Sequence, residues 1–153
     1  IQVKYDATTI SKDELLKAVD EDTQAFNKVM DAYRLPKATE EQIREKEAAL
    51  EKASKEATLV PFGVLGKCTG LLELAKTVAM KGNRNSLSDA GVAGLLAEAA
   101  AAGAYYNVKI NLPNIQDRGF KNEMTSRADA LRDRISKAGD ELRKFLQQEL
   151  DRL

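Results

Sequence analysis

Residues 85–113 read NSLSDAGVAGLLAEAAAAGAYYNVKINLP and predict a central helix of a helical protein. Alanine, glycine and aliphatic residues dominate it, and small residues recur at spacings of three and four, which places them along one side of a helix. Such a side allows close packing against neighbouring helices. We expect Ser88 to cap this helix at its start and Pro113 to end it.

Two further helices are predicted ahead of this stretch. Ser11 and Glu14 have the spacing of a capping box at the start of a first helix. That helix should stop before Pro36, because a residue that precedes proline is driven out of the α region. Thr39 and Gln42 repeat the capping-box spacing and predict the start of a second helix.

The middle and the end of the chain carry their own boundary signals. Pro61 lies either in the first turn of a new helix or inside a continuous, kinked one. Three glycines then remove side chains from one face, for a partner helix or for a flat ligand: Gly63, Gly66 and Gly70. Gly82 should end the helix in a left-handed conformation, and Asp117 should cap a long last helix that reaches Leu153. We therefore predict an all-α protein, a single domain over residues 1–153 built as a bundle of about five helices with a long C-terminal helix.

Composition limits the chemistry that this chain can perform. Its 24 lysines and arginines balance 24 aspartates and glutamates, so no overall field draws it to nucleic acid or to an anionic membrane. Histidine is absent and Cys68 is the one cysteine, which removes most zinc and copper sites and any internal disulfide. A reducing compartment, the cytoplasm, fits this cysteine usage. Glu98 interrupts the apolar run of residues 90–106, so we predict no membrane-spanning helix. Because histidine is absent and cysteine occurs once, we also predict no metal site.

Asp22 lies in the middle of an apolar stripe on the first helix. At about 100° per residue the large apolar side chains of this helix fall on one side: Leu15, Val19, Phe26, Val29 and Tyr33. A buried carboxylate without a partner is costly, so Asp22 needs either a partner or a cleft. A salt bridge between helices and a ligand-binding or catalytic role are equally compatible with this position.

Asp89, Asn107 and Asn111 lie along the small-residue side of the quoted helix. Asparagine has poor helix propensity, and two of them one turn apart indicate amides with a specific hydrogen-bond partner. That partner is either neighbouring backbone or a bound molecule. Asp89 also has a simpler explanation, because the helix dipole favours an acidic residue in the first turn. Together with Asp22, these residues predict a polar pocket inside the bundle.

Four segments of the chain resemble one known family. They are VDEDTQAFNKVMDAYRLPKATEEQIREK, the segment around VPFGVL, GNRNSLSDAGVAG and GAYYNVKINLPNIQD. In this order, over about residues 13–125, they are similar to the cyclodeaminase domain of formiminotransferase-cyclodeaminase and to its relatives, the methenyltetrahydrofolate cyclohydrolases.

The resemblance implies an all-helical, dimer-forming domain whose substrate is a tetrahydrofolate derivative, with no covalently bound cofactor. The cyclodeaminase closes formiminotetrahydrofolate to methenyltetrahydrofolate and releases ammonia, whereas its relatives open or close the same bridge with water. A folate nitrogen attacks the formimino carbon, and the amino group must leave protonated. Asp22, in the Asp-x-x-Ala-Phe part of the family pattern, and Asp89, in its Ser-Asp pair, are the catalytic candidates for moving that proton.

The same resemblance suggests which residues bind the substrate. These candidates are Ser88, Asn83, Asn107, Asn111, Lys37, Arg44 and Arg84. The amides of Asn107 and Asn111 match Asn-Val-x-x-Asn and can read the pterin or hold an aspartate, while the three cations can hold the glutamate tail of folate. A solvated surface charge explains Lys37 and Arg44 equally well, and Asn83 either contributes its amide or shapes its loop.

The start of the chain departs from the family pattern. That pattern normally begins with a Pro-Gly-Gly-Gly-Ser segment, whereas IQVKYDATTI has no glycine and the chain opens without methionine. We therefore expect most of a folate-converting domain with its first helix removed. An ammonia-releasing enzyme is the leading hypothesis, methenyltetrahydrofolate cyclohydrolase is the alternative, and a non-catalytic helical dimerisation module is the third.

Overall fold

Four α-helices build the protein in a computed structural model that describes the backbone of residues 2–152 and the side chains of residues 12–152. The helices are α1 (Gln2–Arg34), α2 (Glu40–Lys81), α3 (Leu87–Asn111) and α4 (Arg118–Leu150). Short 3-10 turns precede and follow α3, at Arg84–Ser86 and Leu112–Asn114. No strand occurs within residues 2–152, which confirms the all-α prediction. The number of long helices is four in this range, so the expectation of five was wrong.

The count differs because α2 runs through Pro61 without a break. Proline has no N–H, so the carbonyl of Ala57, four residues earlier, loses its partner within the helix. The side-chain amide of Asn111 donates to this carbonyl at 2.9 Å. A hydrogen bond from α3 thus replaces the missing one, and two predicted helices are one.

Local capping signals predicted two helix starts correctly. The amide of Gln42 donates to Thr39 Oγ1 at 3.2 Å, and the amide of Thr39 donates to Gln42 Oε1 at 3.3 Å, which completes the capping box of α2. Asp117 caps α4 by accepting from the amide of Phe120 at 3.0 Å. The end of α1 at Arg34, ahead of Pro36, is also as predicted.

Two predicted capping residues and one predicted backbone conformation were wrong. Ser11 lies inside α1 and so is not its cap. Ser88 is the second residue of α3, and Ser86 occupies the capping position without a side-chain hydrogen bond. Gly82 does end α2, as predicted, but it is extended (φ −86°, ψ −168°) rather than left-handed, and its amide donates to the carbonyl of Val78 at 2.8 Å.

The central helix is α2, and the other three helices all pack against it. Two ion pairs, Lys28–Glu56 at 2.7 Å and Glu14–Lys67 at 3.6 Å, show that α1 runs antiparallel to α2. The short connection before α3 and the hydrogen bond from Asn111 to Ala57 show the same for α3. Lys55 pairs with Asp117 at the start of α4 and Lys76 pairs with Glu141 further along it, so α4 runs parallel to α2. The bundle is therefore held at its edges by ion pairs between helices and at its centre by apolar packing.

Close packing between α3 and α4 depends on glycine. A β-carbon at Gly94 would overlap the Leu142 side chain, and one at Gly91 would lie 3.0 Å from Leu146. The buried face of α3 consists mainly of small residues, with a larger side chain at each end: Leu87, Ala90, Gly91, Gly94, Ala97, Ala101, Ala104 and Val108. This face is not the side that carries the polar residues, because Asp89 and Asn107 are exposed. Asn107 therefore lies at the surface and not inside the bundle, where the predicted polar pocket would have placed it.

The buried face of α1 is also formed by alanine. Ala18, Ala25 and Ala32 are 5–6% exposed, whereas Val19 is 64% and Phe26 60% exposed. The bulky stripe thus lies beside the contact with α2, because only alanine lets the two helices approach closely. A second face of α2 is open to its surroundings. An added β-carbon meets nothing within 4 Å at any of its three glycines, Gly63, Gly66 and Gly70.

Candidate functional site

A groove lies between α1 and α3, with α2 as its floor, and we call it the Asp22 groove. It has a volume of about 390 Å³. Its lining residues are Leu15, Ala18, Val19, Asp22, Val60, Pro61, Val64, Ala100, Gly103, Ala104 and Asn107. Small and aliphatic residues thus form most of its surface, and one carboxylate and one amide provide its side-chain polarity.

Asp22 and Asn107 stand on opposite walls of this groove. Asp22 projects from α1 and Asn107 from α3, and both side chains are exposed. Among the described side chains, no ion pair involves Asp22, so the open cleft rather than the salt bridge accounts for its position. A carboxylate accepts hydrogen bonds, whereas an amide both donates and accepts. The pair can therefore bind a ring edge that presents donors beside an acceptor.

A second groove lies between α2 and α3, and we call it the Asp89 groove. Its volume is about 590 Å³. Asp89 and Ser86 lie on its rim, and apolar side chains form its wall: Leu71, Leu74, Ala75, Val78, Leu96 and Ala97. Asp89 is in the first turn of α3, as predicted, where the helix dipole favours its charge. The neighbouring Ser88 is exposed.

Leu15 and Ala100 line both grooves, so the two grooves adjoin. Asp89 and Asn107 nevertheless lie 18 residues apart on α3, which is about 27 Å at 1.5 Å per residue. Asp22 lies at the Asn107 end of this distance. The prediction of one pocket that gathers both carboxylates and both amides was therefore wrong for a single chain, because it ignored the length of α3.

Asn111 has a structural partner. It is half-buried, and its Nδ2 donates to the Ala57 carbonyl that Pro61 leaves unpaired. Of the two alternatives raised by the sequence, pairing with neighbouring backbone is the one observed. Asn111 does not line either groove among the described residues.

The loop before α3 is organised by two of the predicted residues. Asn83 Oδ1 accepts from the amide of Asn85 at 3.0 Å, so the side chain shapes the loop. Arg84 forms an ion pair of 3.2 Å with Glu149 near the end of α4. Both residues are exposed, and the loop that they shape leads to Ser86 on the rim of the Asp89 groove.

Lys37 and Arg44 lie far from this loop. Lys37 is exposed between α1 and α2, and Arg44 forms only a surface pair of 4.0 Å with Glu40. Between Arg44 and the end of α2 at Lys81 the helix extends about 55 Å at 1.5 Å per residue. These two cations therefore cannot hold the same ligand tail as Arg84 within one chain, and that part of the prediction was wrong.

Sequence reasoning missed a polar network between α3 and α4. The hydroxyl of Tyr105 donates to Asp129 at 2.7 Å and accepts from Arg132 at 3.0 Å, and Lys109 lies 3.7 Å from Asp129. The hydrogen bond to Asp129 raises the pKa of Tyr105, and the same bond lowers the pKa of Asp129. No local pattern signals this network, because its two halves are more than twenty residues apart.

A second missed residue, Glu51, fixes the start of α4. Its carboxylate accepts from the amides of Gln116 at 2.6 Å and Asp117 at 3.1 Å, and it pairs with Lys55. Burial raises the pKa of Glu51, but these hydrogen bonds and the lysine outweigh burial and lower it. The capping role of Asp117 thus depends on a carboxylate from α2.

The described residues also bear on metal binding and on membrane insertion. Within the described residues, no group of three or more histidine, cysteine, aspartate or glutamate side chains is placed to hold a metal ion. One helix, α2, is long and apolar enough to cross a membrane by length and composition. The central helix of a soluble bundle passes the same test, and α2 is the helix against which the other three pack.

Comparison with known proteins identifies the family of this chain. The family model of formiminotransferase-cyclodeaminase matches residues 2–130. The chain therefore belongs to the formiminotransferase-cyclodeaminase family, which confirms the resemblance of its four segments.

Individual relatives carry two different names. Methenyltetrahydrofolate cyclohydrolase of Methylorubrum extorquens is 41% identical over 122 residues, which are 75% of this chain and 59% of that protein. Formimidoyltransferase-cyclodeaminase of Gallus gallus is 40% identical over 111 residues, 72% of this chain and 20% of that protein. The crystal structure of formiminotetrahydrofolate cyclodeaminase from Thermotoga maritima matches with a TM-score of 0.84 and 28% identity, covering 95% of this chain and 68% of that one. This chain thus spans about three fifths and one fifth of the two curated relatives.

Proposed function

We propose that this chain belongs to an enzyme that closes formiminotetrahydrofolate to methenyltetrahydrofolate and releases ammonia. Family membership supports a folate substrate, and the solved relative of 28% identity is named for this reaction. The observation that carries the proposal is the placement of Asp22 opposite Asn107 in a groove of about 390 Å³. A groove of this size is in the range of small-molecule sites.

The Asp22 groove suits the pterin ring of a folate. The pyrimidine part of a pterin presents N–H donors next to a carbonyl acceptor, so a carboxylate can accept from the former while an amide donates to the latter. Gly103 and Ala104 leave a wall without bulky side chains, on which a flat ring can lie. In this proposal Asn107 orients the ring, and Asn111 acts indirectly by holding α3 on α2.

The reaction needs one proton to be moved. A folate nitrogen attacks the formimino carbon, a carboxylate takes the proton from that nitrogen, and the amino group receives a proton and leaves as ammonia. Asp22 and Asp89 are the acidic side chains that line the two grooves, and both remain our catalytic candidates. Ser88, Asn83 and Arg84 lie near Asp89 in sequence, where we propose that they contact the remainder of the substrate.

The test is an absorbance assay on the intact gene product. We expect formiminotetrahydrofolate to yield the near-ultraviolet absorbance of methenyltetrahydrofolate, and Asp22→Asn and Asp89→Asn to slow this at least tenfold. Asp20→Asn is the matched control, because Asp20 is exposed and lines neither groove. Wild-type rates in both groove variants would remove the assigned roles.

The cyclohydrolase reaction is a second candidate, since the bacterial relative of 41% identity carries that name. In that reaction Asp22 or Asp89 would take a proton from a water molecule that attacks the methenyl carbon. Loss of methenyl absorbance on mixing with the protein, without any formation from the formimino substrate, would favour it. A non-catalytic dimerisation module predicts neither change.

The cellular context is also a proposal. The free, buried Cys68 fits a reducing compartment, so we expect the protein in the cytoplasm. We further propose that it acts as a homodimer.

A further inference from the structure

The two walls of the Asp22 groove are held by different neighbours. The wall that carries Asp22 is α1, which packs on α2, whereas the wall that carries Asn107 is α3, which packs on α2 and α4. The distance across the groove therefore depends on what fixes the C-terminal half of α3. A side chain that orients a substrate must be held closely, because a displacement of about 1 Å can cost a hundredfold in rate.

Apolar packing against α4 is incomplete in this half of α3. Nearer the start of α3, Gly94 allows the Leu142 side chain to lie directly on the helix. Further along, a cavity of about 220 Å³ lies between α3 and α4. Its lining residues are Leu65, Glu98, Ala101, Ala102, Arg132, Ile135 and Ser136. Side chains around a cavity lack contacts on one side, so apolar packing does little to fix α3 here.

Polar contacts bridge the two helices beside this cavity. We call Tyr105, Lys109, Asp129 and Arg132 the Tyr105 network, and Arg132 also lines the cavity. Besides the bonds to its hydroxyl, the Tyr105 ring has Lys109 Nζ at 5.7 Å and the guanidinium carbon of Arg132 at 5.1 Å from its centroid. Both distances are in the range of cation–π contacts. The Tyr105 side chain is thus held at its hydroxyl and at its ring.

Asn107 lies midway between Tyr105 and Lys109 in the sequence. Two residues of helix turn by about 200°, so Asn107 projects from the side of α3 opposite to both. The contacts agree with this geometry, since Tyr105 and Lys109 reach Asp129 on α4 while Asn107 lines the groove beside α1. A rotation of α3 that broke the network would turn Asn107 through the same angle.

A second contact holds the same part of α3 from another direction. Asn111, one turn beyond Asn107, donates to the carbonyl of Ala57 on α2. A single hydrogen bond near the end of a helix still allows the helix to pivot about that point. The Tyr105 network, which attaches α3 to α4, removes this remaining freedom.

We propose that the Tyr105 network is a positioning device that holds Asn107 opposite Asp22, so that the pterin ring is aligned for attack on the formimino carbon. Tyr105 and Asp129 are then positioning residues that act through Asn107, and none of the four network residues lines the Asp22 groove. The catalytic part of this inference rests on the proposed function. The network itself is defined by contacts between α3 and α4.

Hydrogen exchange and NMR test the positioning without any substrate. Tyr105→Phe should speed exchange of the backbone amides of residues 104–111 and shift the signal of the Asn107 amide, because α3 gains freedom to rotate. Tyr106→Phe is the matched control, since Tyr106 is exposed and lies outside the network and both grooves. Unchanged exchange in Tyr105→Phe would overturn the proposal.

A double-mutant cycle tests whether the network acts through Asn107. Well below the unfolding transition, Tyr105→Phe should lower kcat about tenfold and change KM less than about twofold, because the ring still binds but is misaligned. In an Asn107→Ala background the same substitution should lower kcat no further. An unchanged kcat in Tyr105→Phe would leave the network a purely structural role, and equal losses in both backgrounds would show that it does not act through Asn107.

Two substitutions of Asp129 provide a further comparison. Asp129→Asn retains an oxygen that accepts from the Tyr105 hydroxyl and should keep most of kcat, whereas Asp129→Ala removes this acceptor and should match Tyr105→Phe. Equal losses in the two Asp129 variants would contradict the proposal. A wild type without folate activity would refute the proposed function instead, while hydrogen exchange would still judge whether the network fixes α3.

Discussion

The side-chain amide of Asn111 supplies the hydrogen bond that Pro61 removes from α2. Pro61 cannot donate to the Ala57 carbonyl, and Asn111 Nδ2 occupies that carbonyl at 2.9 Å from α3. A proline in a helix interior is ordinarily costly, and an unpaired buried carbonyl adds to the cost. The contact therefore keeps α2 continuous at the point where it forms the floor of the Asp22 groove.

We expect Asn111→Ala to lower the free energy of unfolding by about 1–3 kcal/mol, because it leaves the Ala57 carbonyl without a donor. In a Pro61→Ala background the same change should cost much less, since residue 61 then donates to Ala57 itself. Urea unfolding of the four proteins measures this difference. Equal costs in both backgrounds would mean that the two residues are not coupled.

We expect Gly94→Ala to destabilise the protein by about 1–3 kcal/mol, because the added methyl overlaps the buried side chain of Leu142. Gly63→Ala is the matched control, since its β-carbon meets nothing within 4 Å and alanine favours the helix. It should stabilise the protein slightly. Thermal unfolding distinguishes the two, and a neutral Gly94→Ala would show that α4 can move away from α3.

Acid should loosen the start of α4. The pKa of Glu51 is lowered from 4.5 in the folded state, so its stabilising contribution is full above 4.5 and is lost as the pH falls through the lower, folded value. Glu51→Gln should therefore be less stable than wild type at pH 7 and lose less stability between pH 5 and pH 3, roughly the range of carboxylate titration. Urea midpoints across this range measure the effect, with the exposed Glu45→Gln as control. Parallel curves for wild type and Glu51→Gln would contradict it.

Tyr105→Phe should cost about 1–2 kcal/mol of stability, because it removes the hydroxyl that links Asp129 to Arg132. The exposed Tyr106→Phe should change stability little. Spectrophotometric titration provides a second measurement, because the pKa of Tyr105 is raised. Compared with wild type, Tyr105→Phe should lack one tyrosine that ionises at a pH above the ordinary tyrosine range. Loss of an ordinary tyrosine from the titration would argue against the network.

Local interactions explain what could be predicted about the fold. The capping box of Thr39 and Gln42 and the cap at Asp117 join residues three apart, so their spacing in sequence is enough to identify them. The stop of α1 ahead of Pro36 follows from the backbone of neighbouring residues. Ser11 and Ser88 are also of a residue type that is favoured at helix starts, but both lie inside helices. A serine caps a helix only where the helix does not continue in front of it, and its own spacing in the sequence does not show this.

The helical class, several helix ends and the family could be read from the sequence, because periodicity, caps and family motifs are properties of neighbouring residues. Which side of α1 and of α3 is buried followed only from the packing of the helices, since faces of alanine and glycine are favoured where two backbones approach closely. Packing also placed Asp22 and Asn107 on opposite walls of one groove and Asp89 in another groove. Asp89 and Asn107 match the same family pattern, but 18 residues of helix hold them about 27 Å apart.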